Sequence, residues 1–127
     1  MYMENAGPEP LQEEEVAKFA GICLDTSHLE NARRLFPDKY IQTINILGKF
    51  SIGANHINGV TAKPEHNDAH NYERICYDNH FPKSTSELNY LRAYPKNYFG
   101  DYIALEMEND IPSQLEMKTY LEKLLGL

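Results

Sequence analysis

The sequence predicts an α+β fold, with N-terminal helices and a C-terminal helix packed on a mostly antiparallel sheet. Three observations predict it. Apolar residues recur at helical spacing through the first part of the chain. β-forming residues broken by Gly and Asn-Gly fill the middle. A capped amphipathic run closes the chain. This order, helices then strands then a helix, differs from the alternation of a parallel α/β sheet. A length of 127 residues suits one domain with a real core. Residues 1–10 are polar and acidic, contain Pro8 and Pro10, and read as a flexible tail. The single α+β domain then occupies residues 11–127.

Each element has its own signal. Gln12 to Leu24 carries Val16, Phe19, Ala20, Cys23 and Leu24 at helical spacing behind three glutamates, which favour a helix N-terminus. Ser27 and Glu30 have capping-box spacing for a second helix reaching about Leu35. A third helix starts at Pro37, where the missing N–H costs nothing, and stops at Gly48. Tyr40, Ile41, Ile44 and Leu47 mark its buried face. Phe50, Ile52, Ile57 and Val60 are β-formers around Gly53 and the turn signal Asn58-Gly59. Lys63 to Asn71 reads as a loop and Tyr72 to Tyr77 as a strand. Phe81 to Asn89 is turn-rich, with a short helical turn bounded by Ser86 and Asn89. Tyr98 to Met107 is the clearest strand, with Leu105 buried, and Asn109 to Pro112 breaks it. In the final helix Ser113 is the expected cap and Glu116 its capping-box partner. Met117, Tyr120, Leu121, Leu124 and Leu125 form its inner stripe.

Apolar residues make up 42% and charged residues 24%, ordinary values for a globular protein. No run approaches the roughly 18 apolar residues of a membrane span, so no membrane association is expected. The start of the chain lacks the basic and apolar regions of a signal peptide, which predicts a cytoplasmic protein. Cys23 and Cys76 have no metal-motif spacing and are expected as free thiols. A net charge of −7 repels phosphate backbones and argues against a nucleic-acid partner. It suits a basic protein partner or a solvated acidic surface. No cofactor is expected.

Four of the five histidines lie between His56 and His80. Within that stretch His66, Asp68, His70, Glu73, Cys76, Asp78 and His80 fall in fifteen residues. On a helix, His66 and His70 would share one face and could hold a metal. Pro64, Asn67, Asp68 and Asn71 favour a loop instead. If a metal is present, the candidate ligands are His66, His70, His80 and Asp78. Asp78-Asn79-His80-Phe81-Pro82, with Asn89 and Asn97, partly follows the order of ββα-metal (HNH-type) nucleases. However, Asn79 separates the acid from the histidine, and the final histidine is missing. There is no Gly-rich phosphate loop, nucleophile elbow or paired-cysteine motif. Cys76 near His80 reads first as an inert thiol. Tyr90, Tyr94, Tyr98 and Tyr102 read first as packing and second as a partner-binding face.

With these elements placed, the chain resembles the SMI1/KNR4 (SUKH) superfamily. Phe36-Pro37-Asp38-Lys39-Tyr40 is similar to its Leu-Pro-x-x-Tyr helix start. Asn45 to Gly48 stands where the family has an Asn-Gly-Gly turn. Gly100-Asp101-Tyr102-Ile103-Ala104-Leu105-Glu106 is similar to its Gly-Asp-x-hydrophobic-x-Leu-Asp strand. The likeness spans roughly residues 27 to 125. This chain has one glycine at the first turn, no Trp, and an additional helix before Ser27. The resemblance implies a non-enzymatic binding protein, with an immunity protein that neutralises a basic toxin domain as the first expectation. Complementary charge would speed that encounter. Glu106, Glu108 and Asp110 are the candidate partner-binding residues, as carboxylates at the end of the best strand and in the turn after it. The alternatives are a metal-dependent hydrolase or nuclease using segment 56–80, and a regulatory interaction module.

Overall fold

A computed structural model describes residues 1–5, 9–66 and 75–127, and of residues 64–66 and 75 the backbone alone. Strand β1 (Tyr2–Glu4) leads through the one-turn helix α1 (Glu13–Val16) to β2 (Gly21–Asp25). Helices α2 (Thr26–Leu35) and α3 (Pro37–Leu47) carry the chain to β3 (Ile52–Ile57). Strands β4 (Gly59–His66) and β5 (Ile75–Asn79) follow, then 3-10 helices over Thr85–Ala93 and Lys96–Tyr98. Strand β6 (Tyr102–Leu105) and helix α4 (Ile111–Leu125) complete the chain.

Helices and strands are mixed as expected, but the main sheet is parallel, not antiparallel. Its order is β1-β2-β3-β6, and each neighbouring pair is parallel. The antiparallel expectation treated Asn58-Gly59 as a hairpin turn. Instead, Asn58 joins strands of different sheets: β3 stays in the main sheet while β4 pairs with β5 in a separate antiparallel ribbon. Parallel neighbours require long crossovers. Here they run through α1, through α2 and α3, and through the ribbon and the 3-10 helices. The expected loop from Lys63 overlaps the end of β4, and of the strand placed at Tyr72–Tyr77 the described part, from Ile75 on, lies in β5; residues 67–74 lie outside the described residues.

Three further expectations change near the N-terminus. The acidic tail contributes β1, and Asn5 beyond it is buried. The helix expected over Gln12–Leu24 is limited to Glu13–Val16. Gly21 to Asp25 is a strand buried along its whole length. An inner parallel strand reads as a continuous apolar run, which a helical template matches equally well. The cap of α2 is Asp25, whose side chain accepts a hydrogen bond from the His28 backbone N–H, in place of Ser27.

Helix α3 runs from Pro37 to its cap at Gly48 as predicted. Its inner face is rotated slightly: Thr43, Ile46 and Leu47 are buried, Tyr40 and Ile44 are half-buried, and Ile41 points to solvent. Leu105 is half-buried. Helix α4 is capped by Asp110, one turn ahead of the expected Ser113. Met117 and Leu121 are its buried residues.

The main sheet has two unlike faces. On one, Ile22 and Leu24 pack with Val16, Leu29, Ile46 and Leu47. Ile57 on the same face packs with Leu88, Leu91, Met117 and Leu121. Strand alternation puts Glu4, Cys23, Asp25, Ala54, His56, Tyr102 and Ala104 on the opposite face, and Glu106 follows in the same phase. The register between β2 and β3 shifts at Ile22/Cys23, opposite Gly53. There the chain passes so close to Gly100 that a Cβ on Gly100 would lie 2.2 Å from the Gly53 carbonyl carbon. Glycine at position 100 lets the lead-in to β6 lie against β3, and glycine at position 53 leaves room for the Tyr2 ring of β1.

Candidate metal centre at the carboxyl ends of the strands

Four neighbouring strands deliver ionisable side chains to one place. Glu4 ends β1, Asp25 ends β2, His56 is next to last in β3, and Glu106 directly follows β6. One ligand atom from each of these four residues lies within 4.8 Å of all the others. Carboxyl ends of parallel strands are where open α/β sheets and barrels bind their ligands, because the loops diverge there.

Asp25 is the best-positioned of the four. It is fully buried. Its Oδ1 accepts from Ser27 Oγ at 2.9 Å and from the His28 N–H at 3.0 Å. Its backbone N–H donates to Asn5 Oδ1 at 2.6 Å, and its carbonyl accepts from Asn5 Nδ2 at 2.9 Å. Asn5 therefore clamps the ends of β1 and β2 together. Oδ2 makes no hydrogen bond, and His28 Nδ1 lies 3.3 Å from it, an ion pair when the imidazole is protonated. A buried carboxylate oxygen without a hydrogen bond is costly unless a cation meets it.

His56 Nδ1 lies 2.8 Å from Glu4 Oε1 and 3.2 Å from Glu106 Oε1. Partial burial works against its charged form. The hydrogen bond to Glu4 and the charges of Glu4, Glu106 and Asp25 outweigh this and raise its pKa. His28 follows the same balance: burial lowers its pKa, while Asp25, the Asn5 carbonyl, Asp78 and Glu4 raise it to a net upward shift. Burial pushes Asp25 itself upward against the opposing pull of His28. The site thus concentrates negative charge and takes up protons to relieve it. A divalent ion would relieve the same charge by displacing those protons.

Cys23 stands two residues before Asp25 on the same face and is nearly buried. Burial, with help from Glu4, Asp25 and Glu106, raises its pKa to about 11. At neutral pH it is a thiol, unsuited to act as a thiolate ligand or nucleophile. Both cysteines are buried thiols outside any disulfide, which agrees with the expectation that they are unbridged.

The predicted site residues separate. Glu106 joins the cluster, where its half-exposed carboxylate lies 3.2 Å from His56 Nδ1. Glu108 is exposed, and its N–H donates to the His80 carbonyl at 2.8 Å. Asp110 accepts from the Ser113 N–H at 2.9 Å, which lowers its pKa. Asp78 is buried near the end of β5, close enough for its charge to act on His28. His66 is known by its backbone in β4, and His70 lies outside the described residues. The alternative set His66, His70, His80 and Asp78 thus falls partly outside the described residues; among the described residues the cluster that forms is Glu4, Asp25, His56 and Glu106. Glu4, Asp25 and Glu106 were missed as ligands because they lie far apart in sequence. A shared signal was present: Tyr-Met-Glu, Ile-Cys-Leu-Asp, Ala-Asn-His and Ala-Leu-Glu are short segments that each end on a ligand type.

No family model matches the sequence, and neither a curated protein nor a solved structure is significantly similar to it. No helix among the described residues is long and apolar enough to cross a membrane.

Proposed function

We propose that this chain is a metal-dependent enzyme with one divalent ion held by Glu4, Asp25, His56 and Glu106. The observation that carries the reading is their convergence within 4.8 Å at adjacent strand ends. Three carboxylates and one imidazole form a hard, oxygen-rich set, suited to Mn²⁺, Mg²⁺ or Zn²⁺. Such an ion supplies Lewis-acid chemistry: it polarises a substrate oxygen or lowers the pKa of a bound water. The substrate class that fits is small and oxygen-rich, such as a polyol, a carbonyl compound or a phosphoester. Ser27 and the His28 N–H at the N-terminus of α2 hold the Asp25 carboxylate, while Asn5 fixes its backbone. Outer groups of this kind are worth about 10–100-fold in metal affinity. The non-enzymatic expectation becomes the second reading. It is supported by exposed Glu108 and Asp110 and by the net charge of −7.

The test is metal analysis of protein purified without chelators, followed by hydrolase and isomerase substrate panels with and without added metal. One ion per chain and activity lost in both Asp25→Asn and Glu106→Gln are expected. Metal-free protein that ignores added metal in every assay would contradict the reading.

A further inference from the structure

The open face of the main sheet is unusual. All-parallel sheets are normally covered on both faces, because their crossovers place helices there. In this chain the packed helices share one face, with Ile22, Leu24 and Ile57 beneath them. The other face holds Ala54 and Ala104 among the ionisable groups, and a Tyr102 ring that is 70% exposed. Strands in sequential order, each parallel to the last, with helices on a single side, are half of the pattern by which eight strands close a parallel barrel.

The edges point the same way. Among the described residues strand β1 is bonded on its β2 side and β6 on its β3 side, so each leaves one row of backbone donors and acceptors unpaired within the sheet. Natural edges are commonly protected by Lys, Pro or a covering element. Here the edges read Tyr-Met-Glu and Tyr-Ile-Ala-Leu, with no Lys or Pro in either. The described residues expose further large apolar side chains. Ile111 and Leu115 share a face of α4 and are 72% and 57% exposed, and Met1 precedes β1.

We propose that a second copy of this chain covers the open face. The two sheets would join around a two-fold axis parallel to the strands, with β1 of each copy beside β6 of the other. A two-fold axis in that direction keeps all strands parallel and matches each free edge to the other kind, so both seams close at once. Four strands spaced about 4.8 Å apart and about five residues long give a sheet face of roughly 300 Å² per copy. The two faces together give about 600 Å², and the two strand seams would supply the remainder of the about 1,000 Å² total that a stable interface needs. Tyr102 and Ala104 become interior residues of the closed barrel, beside Cys23, which is already buried in the single chain. The carboxylate clusters of both copies then line one mouth, where bound divalent ions or shared protons offset their repulsion.

Light scattering coupled to size exclusion, from about 1 to 100 μM chain at physiological salt, reads the proposal directly. The runs are made metal-free and with 1 mM MnCl₂, a probe concentration chosen to saturate a site of ordinary affinity. The expected result is twice the chain mass in at least one condition, with slow amide exchange in both β1 and β6. Ala104→Arg places a long charged side chain inside the barrel. It should give a monomer, with dissociation at least about 100-fold easier and the circular dichroism retained. If Ala104→Arg fails to fold, Tyr102→Lys serves instead, because Tyr102 is exposed in the single chain. Wild-type protein that stays monomeric in every condition overturns the proposal. A dimer that persists unchanged in the variant, or one whose β1 and β6 amides exchange as free edges, also overturns it, because the copies would then meet elsewhere.

Discussion

The two faces of one four-stranded sheet follow different physical rules. On the covered face Ile22, Leu24 and Ile57 lie under helices, and burial of apolar area stabilises the fold. On the open face Glu4, Asp25, His56 and Glu106 crowd together, Asp25 is fully buried, and its Oδ2 lacks a hydrogen bond. That arrangement costs stability in the metal-free chain once His28, 3.3 Å from Oδ2, has lost its proton. The comparison separates what holds the fold together from what strains it, and strain of this kind collects at functional sites.

The largest expected effect breaks the covered face. Leu24→Ala or Ile57→Ala should cost about 2–5 kcal/mol in denaturant unfolding, as buried large-to-small changes do. On the open face the sign should reverse. Asp25→Asn keeps the shape and an oxygen for the cap while removing the buried charge. Unfolding of the metal-free variant at pH 8 should therefore be unchanged or more stable by up to about 2 kcal/mol. A loss above about 2 kcal/mol, comparable to Leu24→Ala, would mean that Asp25 is a structural anchor instead.

The pH dependence sharpens the same contrast. Asp25, His28 and His56 all have folded pKa values above their ordinary ones. A group with a raised folded pKa binds its proton more tightly in the native state. Its contribution to stability is complete below the unfolded value and is lost as pH rises through the folded value. Metal-free protein should thus lose stability as pH climbs above the ordinary imidazole value of 6.5. Thermal melts should show that loss, and a saturating divalent ion should reverse it. Melting temperatures that rise from pH 6.5 to 9 without metal would refute the assignment.

The smallest effects belong to the exposed carboxylates after β6. Glu108→Ala should change stability by no more than about 0.5 kcal/mol. Asp110→Ala removes the α4 cap and should lower the melting temperature by less than Ile57→Ala does. Its pKa is depressed, so its contribution is present above the ordinary carboxylate value and fades as pH falls through the folded one.

Much of the local structure was legible in the sequence. Helix α3 could be placed from Pro37 and Gly48, and the inner stripe of α4 from Met117 and Leu121, because these signals act within a few residues. Strand direction was not legible. Whether Asn58-Gly59 closes a hairpin depends on where the next strand pairs, and that is decided by distant residues. Strand β2 was read as helix because Ile22, Cys23 and Leu24 are consecutively buried and show no alternation. The site was legible only in pieces. His56 and Glu106 drew attention for other reasons, whereas Glu4 was placed in a tail and Asp25 was not singled out. The cluster exists only because parallel pairing brings four distant strand ends together.

Calorimetric titration of metal-free protein with MnCl₂ and ZnCl₂, wild type beside Asp25→Asn, tests the central claim most directly. The account predicts one ion per chain for at least one metal and proton release on binding. It also predicts an affinity at least about 100-fold weaker in the variant. No binding up to about 1 mM metal, or equal binding by both proteins, would contradict it.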